Sequence, residues 1–125
     1  MATTEALYTE TLDLLRELIR NACVNDLTAD SSEERRNAET LKAFFAQTPN
    51  VRVQEFEPHP GRVSVIFTVP GTDPDAEPLT LMGHTDVVPV DEDAWEHEPF
   101  GAEIVTNTAG EEVLYGRGSV DMLFI

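Results

Sequence analysis

Leu79-Thr80-Leu81-Met82-Gly83-His84-Thr85-Asp86-Val87-Val88-Pro89 is the stretch that decides how this chain is read. Its first residues are apolar enough for a central strand, and that strand runs straight into a His-x-Asp. Side chains two apart in an extended chain point the same way. His84 and Asp86 can therefore act together at the C-terminal end of a strand, where α/β sheets place their sites. His84 is a candidate imidazole ligand for zinc. Asp86 is a candidate for the carboxylate that orients a ligating imidazole. The plain alternative is a polar pair that terminates a strand.

A second candidate stretch is Tyr115-Gly116-Arg117-Gly118-Ser119-Val120-Asp121-Met122. Its glycines allow close backbone approach or a sharp turn beside a site, and Asp121 is a carboxylate able to bridge two metals. A dinucleotide-binding glycine loop is rejected, because Asp121 stands where that fingerprint needs its third glycine. An acid there would repel a pyrophosphate. Asp91-Glu92-Asp93 lacks the alternating spacing of a calcium loop and reads as solvated.

Around these stretches the pattern is of helices followed by strands. Leu7, Leu14, Leu15, Leu18 and Ala22 recur at helical spacing and predict a helix from Thr4 to about Val24. Ser31 or Ser32 is the expected cap of a second helix, with Ser31 and Glu34 at capping-box spacing. Ala38, Leu41, Phe44 and Phe45 form its apolar face, and Pro49-Asn50 ends it. Strands are expected from Val51, over Val63–Val69, and over Leu79–Gly83. Ile104-Val105 and Val113-Leu114-Tyr115 predict a hairpin around Asn107-Thr108-Ala109-Gly110. Trp95, Pro99 and Phe100 should pack their loop onto the domain. His59, His97, Glu33-Glu34 and Glu111-Glu112 are expected at the surface. Together these elements predict an α/β layered sheet.

Composition narrows the function. The 125 residues carry 8 basic and 24 acidic side chains, net −16, and Lys42 is the single lysine. Such a surface repels nucleic acid and anionic membrane, so neither is expected as a partner. Cys23, the one cysteine, reads as a packed small residue and permits no internal disulfide. The start of the chain has no basic segment followed by an apolar one, and no apolar run reaches membrane length. A cytoplasmic location is the expectation.

Taken in order, the motifs resemble a known family. They are Pro60-Gly61-Arg62, Val69-Pro70-Gly71, Gly83-His84-Thr85-Asp86-Val87-Val88-Pro89, Trp95 with Pro99-Phe100, and Tyr115-Gly116-Arg117-Gly118-Ser119-Val120-Asp121-Met122. The set is similar to that of the aminoacylase, acetylornithine deacetylase and succinyl-diaminopimelate desuccinylase family of di-zinc amidohydrolases and peptidases. The resemblance implies a three-layer α/β/α zinc-peptidase domain with a mixed sheet. It also implies two zinc ions, with cobalt able to substitute. By resemblance His84 is a ligand to one zinc, Asp121 the carboxylate bridging both, and Asp86 the catalytic-site residue clamping His84. The peptide bond after Asp121 is cis in similar enzymes. Zinc ions about 3.5–4 Å apart polarise a water and the scissile carbonyl in such sites. Implied substrates are small molecules, N-acyl amino acids or dipeptides, and the intact protein is implied to be a homodimer.

The sequence departs from that pattern after the bridging position. The family's downstream Glu-Glu pair, a further carboxylate ligand, a late histidine and the lid and dimerisation domain have no counterpart here. Met-Lys-Gly is replaced by Met122-Leu123-Phe124-Ile125. Residues 1–125 are therefore expected to be the N-terminal portion of the catalytic domain, a hydrolase by descent and inactive alone. Exposed sheet edges predict low stability for such a piece. The alternatives are a non-catalytic binding or regulatory module, or one half of a split enzyme.

Overall fold

The computed structural model describes residues 2–28, 31 and 33–120. The first helix, α1, spans Thr4–Arg20. Thr3 caps it, its hydroxyl accepting the Ala6 N–H at 3.1 Å. Glu5 in the first turn and Arg20 in the last complement the helix dipole. The helix stops short of the expected end because Ala22 takes a left-handed φ of 49°. This frees Cys23 and Val24 to run extended, and Val24 forms a parallel bridge with Val87.

The second helix, α2, spans Glu34–Phe45. The expected serine cap does not form. Glu33 occupies the cap position, and its side chain makes no capping hydrogen bond. The Ser31 hydroxyl is used in the preceding loop, where it accepts the Asp26 N–H at 3.1 Å and donates to the Thr28 carbonyl at 3.1 Å. Ser32 lies outside the described residues.

Strands β1 (Arg52–His59) and β2 (Arg62–Thr68) pair antiparallel around Gly61, whose φ of 81° only glycine adopts readily. α2 packs on the face of this hairpin that carries Val63, Val65 and Phe67, with Phe45 and Phe67 ring centroids 4.6 Å apart. Salt bridges fasten the edge of the same contact: Arg35 reaches Glu55 and Glu57, and Lys42 reaches Glu55 at 2.8 Å. Hydrogen bonds from Lys42 and then Arg35 hold the Glu55 carboxyl below its usual range. Strands β3 (Glu103–Thr106) and β4 (Glu112–Tyr115) form the predicted hairpin, with Ile104 opposite Leu114. α1 is tied to the start of this hairpin by Arg16 and Arg20, which donate to the carbonyls of Ala102 and Gly101.

Helices with antiparallel sheets make this an α/β chain, but the mixed sheet is not formed among the described residues. Leu79–Gly83 is the difference. A strand needs a neighbour to complete its backbone hydrogen bonds, and no described strand pairs with it. Leu79, Leu81 and Met82 are 85%, 85% and 88% exposed. Glu34 also departs from expectation: it is buried, with Oε1 paired to Arg62 Nε at 3.0 Å. The core is small, built from Ile19, Cys23, Ala38, Val63 and Ala102. No helix of the described residues is long and apolar enough to cross a membrane.

Candidate functional site

The His84-Thr85-Asp86 segment is held by three polar anchors before its own chemistry begins. Cys23 O accepts the Val87 N–H at 2.9 Å, and Val87 O accepts the Asn25 N–H at 2.8 Å. This short parallel pairing fixes the segment against the chain leaving α1. Asn37, buried on α2, donates from Nδ2 to the Thr85 carbonyl at 3.0 Å. Its Oδ1 accepts from Asn21 Nδ2 at 2.8 Å, so both ends of the buried amide are satisfied. Asn25 Nδ2 then donates to Asp86 Oδ2 at 2.7 Å.

Within that frame His84 Nδ1 lies 2.9 Å from Asp86 Oδ1 and 2.9 Å from the Asp86 carbonyl oxygen. A backbone carbonyl can only accept, so Nδ1 carries the proton. In the neutral ring Nε2 then holds the lone pair. This is the carboxylate–histidine arrangement that fixes the tautomer and raises the basicity of a metal-ligating imidazole. Burial works against the charged form of Asp86. The hydrogen bonds from Asn25 and His84 outweigh it and hold the carboxyl below its usual range. The expected pairing of His84 with Asp86 is thus present, with side chains 31% and 25% exposed.

The glycine-rich stretch does what close approach requires. A Cβ on Gly116 would lie 2.8 Å from Ile19 Cγ2, and one on Gly118, whose φ is +94°, would lie 2.9 Å from Val87 Cγ1. The turn is therefore pressed onto α1 and onto the residue next to Asp86. Arg117 continues the fastening: its N–H donates to Pro99 O at 2.8 Å, and its guanidinium sits 5.2 Å from the Trp95 ring centroid. This accounts for the packing expected of Trp95 and Pro99. Asp121, and with it the Asp121–Met122 peptide bond, lies outside the described residues. Among the described residues no group of three or more His, Cys, Asp or Glu is placed to hold a metal ion.

Two cavities flank the segment. One, of about 470 Å³, lies against α2 and β2 and is lined by Phe45, Val63, Val65 and Phe67. The other, of about 320 Å³, is walled by Leu15, Leu18 and Leu41, with Arg117 and Gly118 beside His84 and Asp86. Other candidates resolve as structural. His97 is more than a surface residue: it pairs with Glu103 at 2.9 Å, and its ring lies tilted against Tyr115 with 4.3 Å between centroids. Cys23 is buried, and burial pushes its thiol pKa up, which makes it a poor nucleophile. The asparagines at 21, 25 and 37 escaped the sequence reading. A lone Asn in a turn or helix carries no periodic signal, and these partners lie far along the chain.

Comparison with known proteins finds related sequences. Residues 80–125 match the model of "Peptidase family M20/M25/M40". Over these residues the chain is similar to that family. It is 40% identical to human aminoacylase-1 over 83 residues, 64% of this chain and 19% of that protein. It is 51% identical over 63 residues to succinyl-diaminopimelate desuccinylase 1 of Ruegeria sp. (strain TM1040), 50% of this chain and 15% of that protein. A longer match, 32% identity over 113 residues, joins 86% of the chain to 21% of the human N-fatty-acyl-amino acid synthase/hydrolase PM20D1. The chain thus spans about a fifth of the length of the first and last of these relatives. The M20 family is one of hydrolases, and both stretches singled out in the sequence, Leu79 apart, fall within the match.

Proposed function

We propose that residues 1–125 are the N-terminal portion of the catalytic domain of a zinc-dependent hydrolase that cleaves the amide bond of N-acyl amino acids or dipeptides. The observation that carries this reading is the His84–Asp86 pair, with Nδ1 committed to a carboxylate and a carbonyl. That donor chemistry fits zinc, which takes neutral imidazole nitrogens and carboxylate oxygens. His84, through Nε2, and Asp121 are the residues assigned to hold it. Zinc bound there would supply Lewis-acid polarisation of a carbonyl and acidification of a water.

The chain's own residues do the rest. Asp86 keeps the imidazole in the Nδ1–H form and prevents its rotation. Asn37 and the Val24–Val87 bridge stop the segment from drifting. Leu15 and Leu18 give the smaller cavity an apolar wall on the α1 side. The names of the relatives, aminoacylase and desuccinylase, support a small acylated amino acid as substrate. A cytoplasmic location and a homodimeric intact protein complete the proposal.

A zinc site with catalytic capacity needs about three protein ligands per metal. In this reading His84 and Asp121 supply two of them, and residues 1–125 alone would show no turnover. That favours, as a second reading, a half-site that further ligands complete. Competition titration of zinc against a chelating dye tests the assignment. His84→Ala and Asp121→Asn should each weaken binding by at least about tenfold. Unchanged affinity in both variants would remove the metal from this segment.

A further inference from the structure

We infer that Asn25 is a positioning residue of the site, holding the Asp86 carboxylate in the plane that presents Oδ1 to His84. The inference rests on the reading of His84 and Asp86 given above. Asn25 is placed by its backbone before its side chain acts, since its N–H donates to Val87 O at 2.8 Å, one residue beyond Asp86. Its amide orientation is also determined. Oδ1 accepts the Leu27 N–H at 2.9 Å, and a backbone N–H can only donate. Nδ2 must therefore face Asp86, where it lies 2.7 Å from Oδ2.

The consequence is a relay of three side chains: Asn25 Nδ2 to Asp86 Oδ2, then Asp86 Oδ1 to His84 Nδ1. A carboxylate with one oxygen on His84 alone can swing about its last torsion, which is broad for an aspartate. With the second oxygen held by a donor fixed to the neighbouring backbone, the plane of the carboxylate is set. The ring it orients is set with it. Asn25 does not line the cavities beside the ring, and its amide bonds to Asp86, so its effect runs through Asp86.

Asn25 has two hydrogen-bonding tasks, and a substitution can separate them. Asn25→Ser keeps a neutral acceptor for the Leu27 N–H and is too short to donate to Asp86. Asn25→Ala removes both. Nitrogen-15 NMR of histidine-labelled protein reads the tautomer directly, with the His84 signals assigned by His84→Gln. The ratio of Nδ1–H to Nε2–H in His84 should fall roughly three- to tenfold in Asn25→Ser, the equivalent of one hydrogen bond. Zinc affinity should fall about tenfold. A tautomer ratio unchanged in Asn25→Ser, with a lowered melting temperature in Asn25→Ala, would make Asn25 a turn residue only and overturn the inference. If the unsubstituted protein binds no zinc, the metal-site reading fails, and the tautomer ratio still decides the role of Asn25.

Discussion

Gly118 lies so close to Val87 that a Cβ at position 118 would stand 2.9 Å from Val87 Cγ1. Val87 is the bridge residue next to Asp86. The glycine-rich turn and the His-x-Asp segment are therefore one packed unit, although the sequence separates them by a hairpin and a loop. Gly118→Ala meets both this contact and the strain of a φ of +94°. A loss of about 1–3 kcal/mol is expected, read as a lower urea midpoint at unchanged slope. An unchanged midpoint would mean that the turn is not seated on Val87.

Asn37→Leu fills similar space without hydrogen bonds. It leaves the Thr85 carbonyl without its 3.0 Å donor. A buried group stranded in this way costs about 1–3 kcal/mol. Thermal unfolding should show this loss, and zinc affinity should fall with it, because Thr85 sits between His84 and Asp86. Loss of stability with full zinc affinity would confine Asn37 to the core.

Leu81 is 85% exposed. Leu81→Glu should therefore change stability by no more than about 0.5 kcal/mol, while delaying aggregation by breaking an apolar, strand-prone run. A loss of several kcal/mol would instead place Leu81 inside a sheet.

Asp26 gives a pH dependence. Hydrogen bonds from the Thr28 hydroxyl at 2.6 Å and then the Thr28 N–H at 2.9 Å hold its carboxyl at about 2. The folded value lies below the ordinary carboxylate value, so the stabilisation is complete above about pH 4. It is lost as pH falls through the folded value. The melting temperatures of the unsubstituted chain and Asp26→Asn should differ most near neutrality and converge toward pH 2. A constant gap from pH 2 to pH 6 would contradict this.

Much of the scaffold is legible in the sequence because local pattern determines it. The period of Leu14, Leu15 and Leu18 makes α1, and the turn at Asn107–Gly110 makes the β3–β4 hairpin. In that turn Asn107 Oδ1 accepts the Ala109 and Glu111 N–H groups. What escaped depends on partners distant in sequence. Leu79–Met82 has the composition of a strand, but composition supplies no neighbouring ladder. Ser31 fits a capping box, yet its hydroxyl finds Asp26 first. Glu34 looks like a solvated helix charge until Arg62, from β2, covers it. The His84–Asp86 pair was legible because both members lie in one short segment. Asn25 and Asn37 were not, because their roles exist only once the chain has returned past α1 and α2.

The measurement that bears most directly on the central claim is X-ray absorption of the zinc-loaded protein, with and without His84→Ala. Ligation by His84 through Nε2 predicts an imidazole nitrogen shell at about 2.0–2.1 Å, with the outer-shell scattering of a ring, that disappears in the variant. Identical spectra from the two proteins, or zinc bound without any imidazole shell, would contradict the assignment of His84 as a metal ligand.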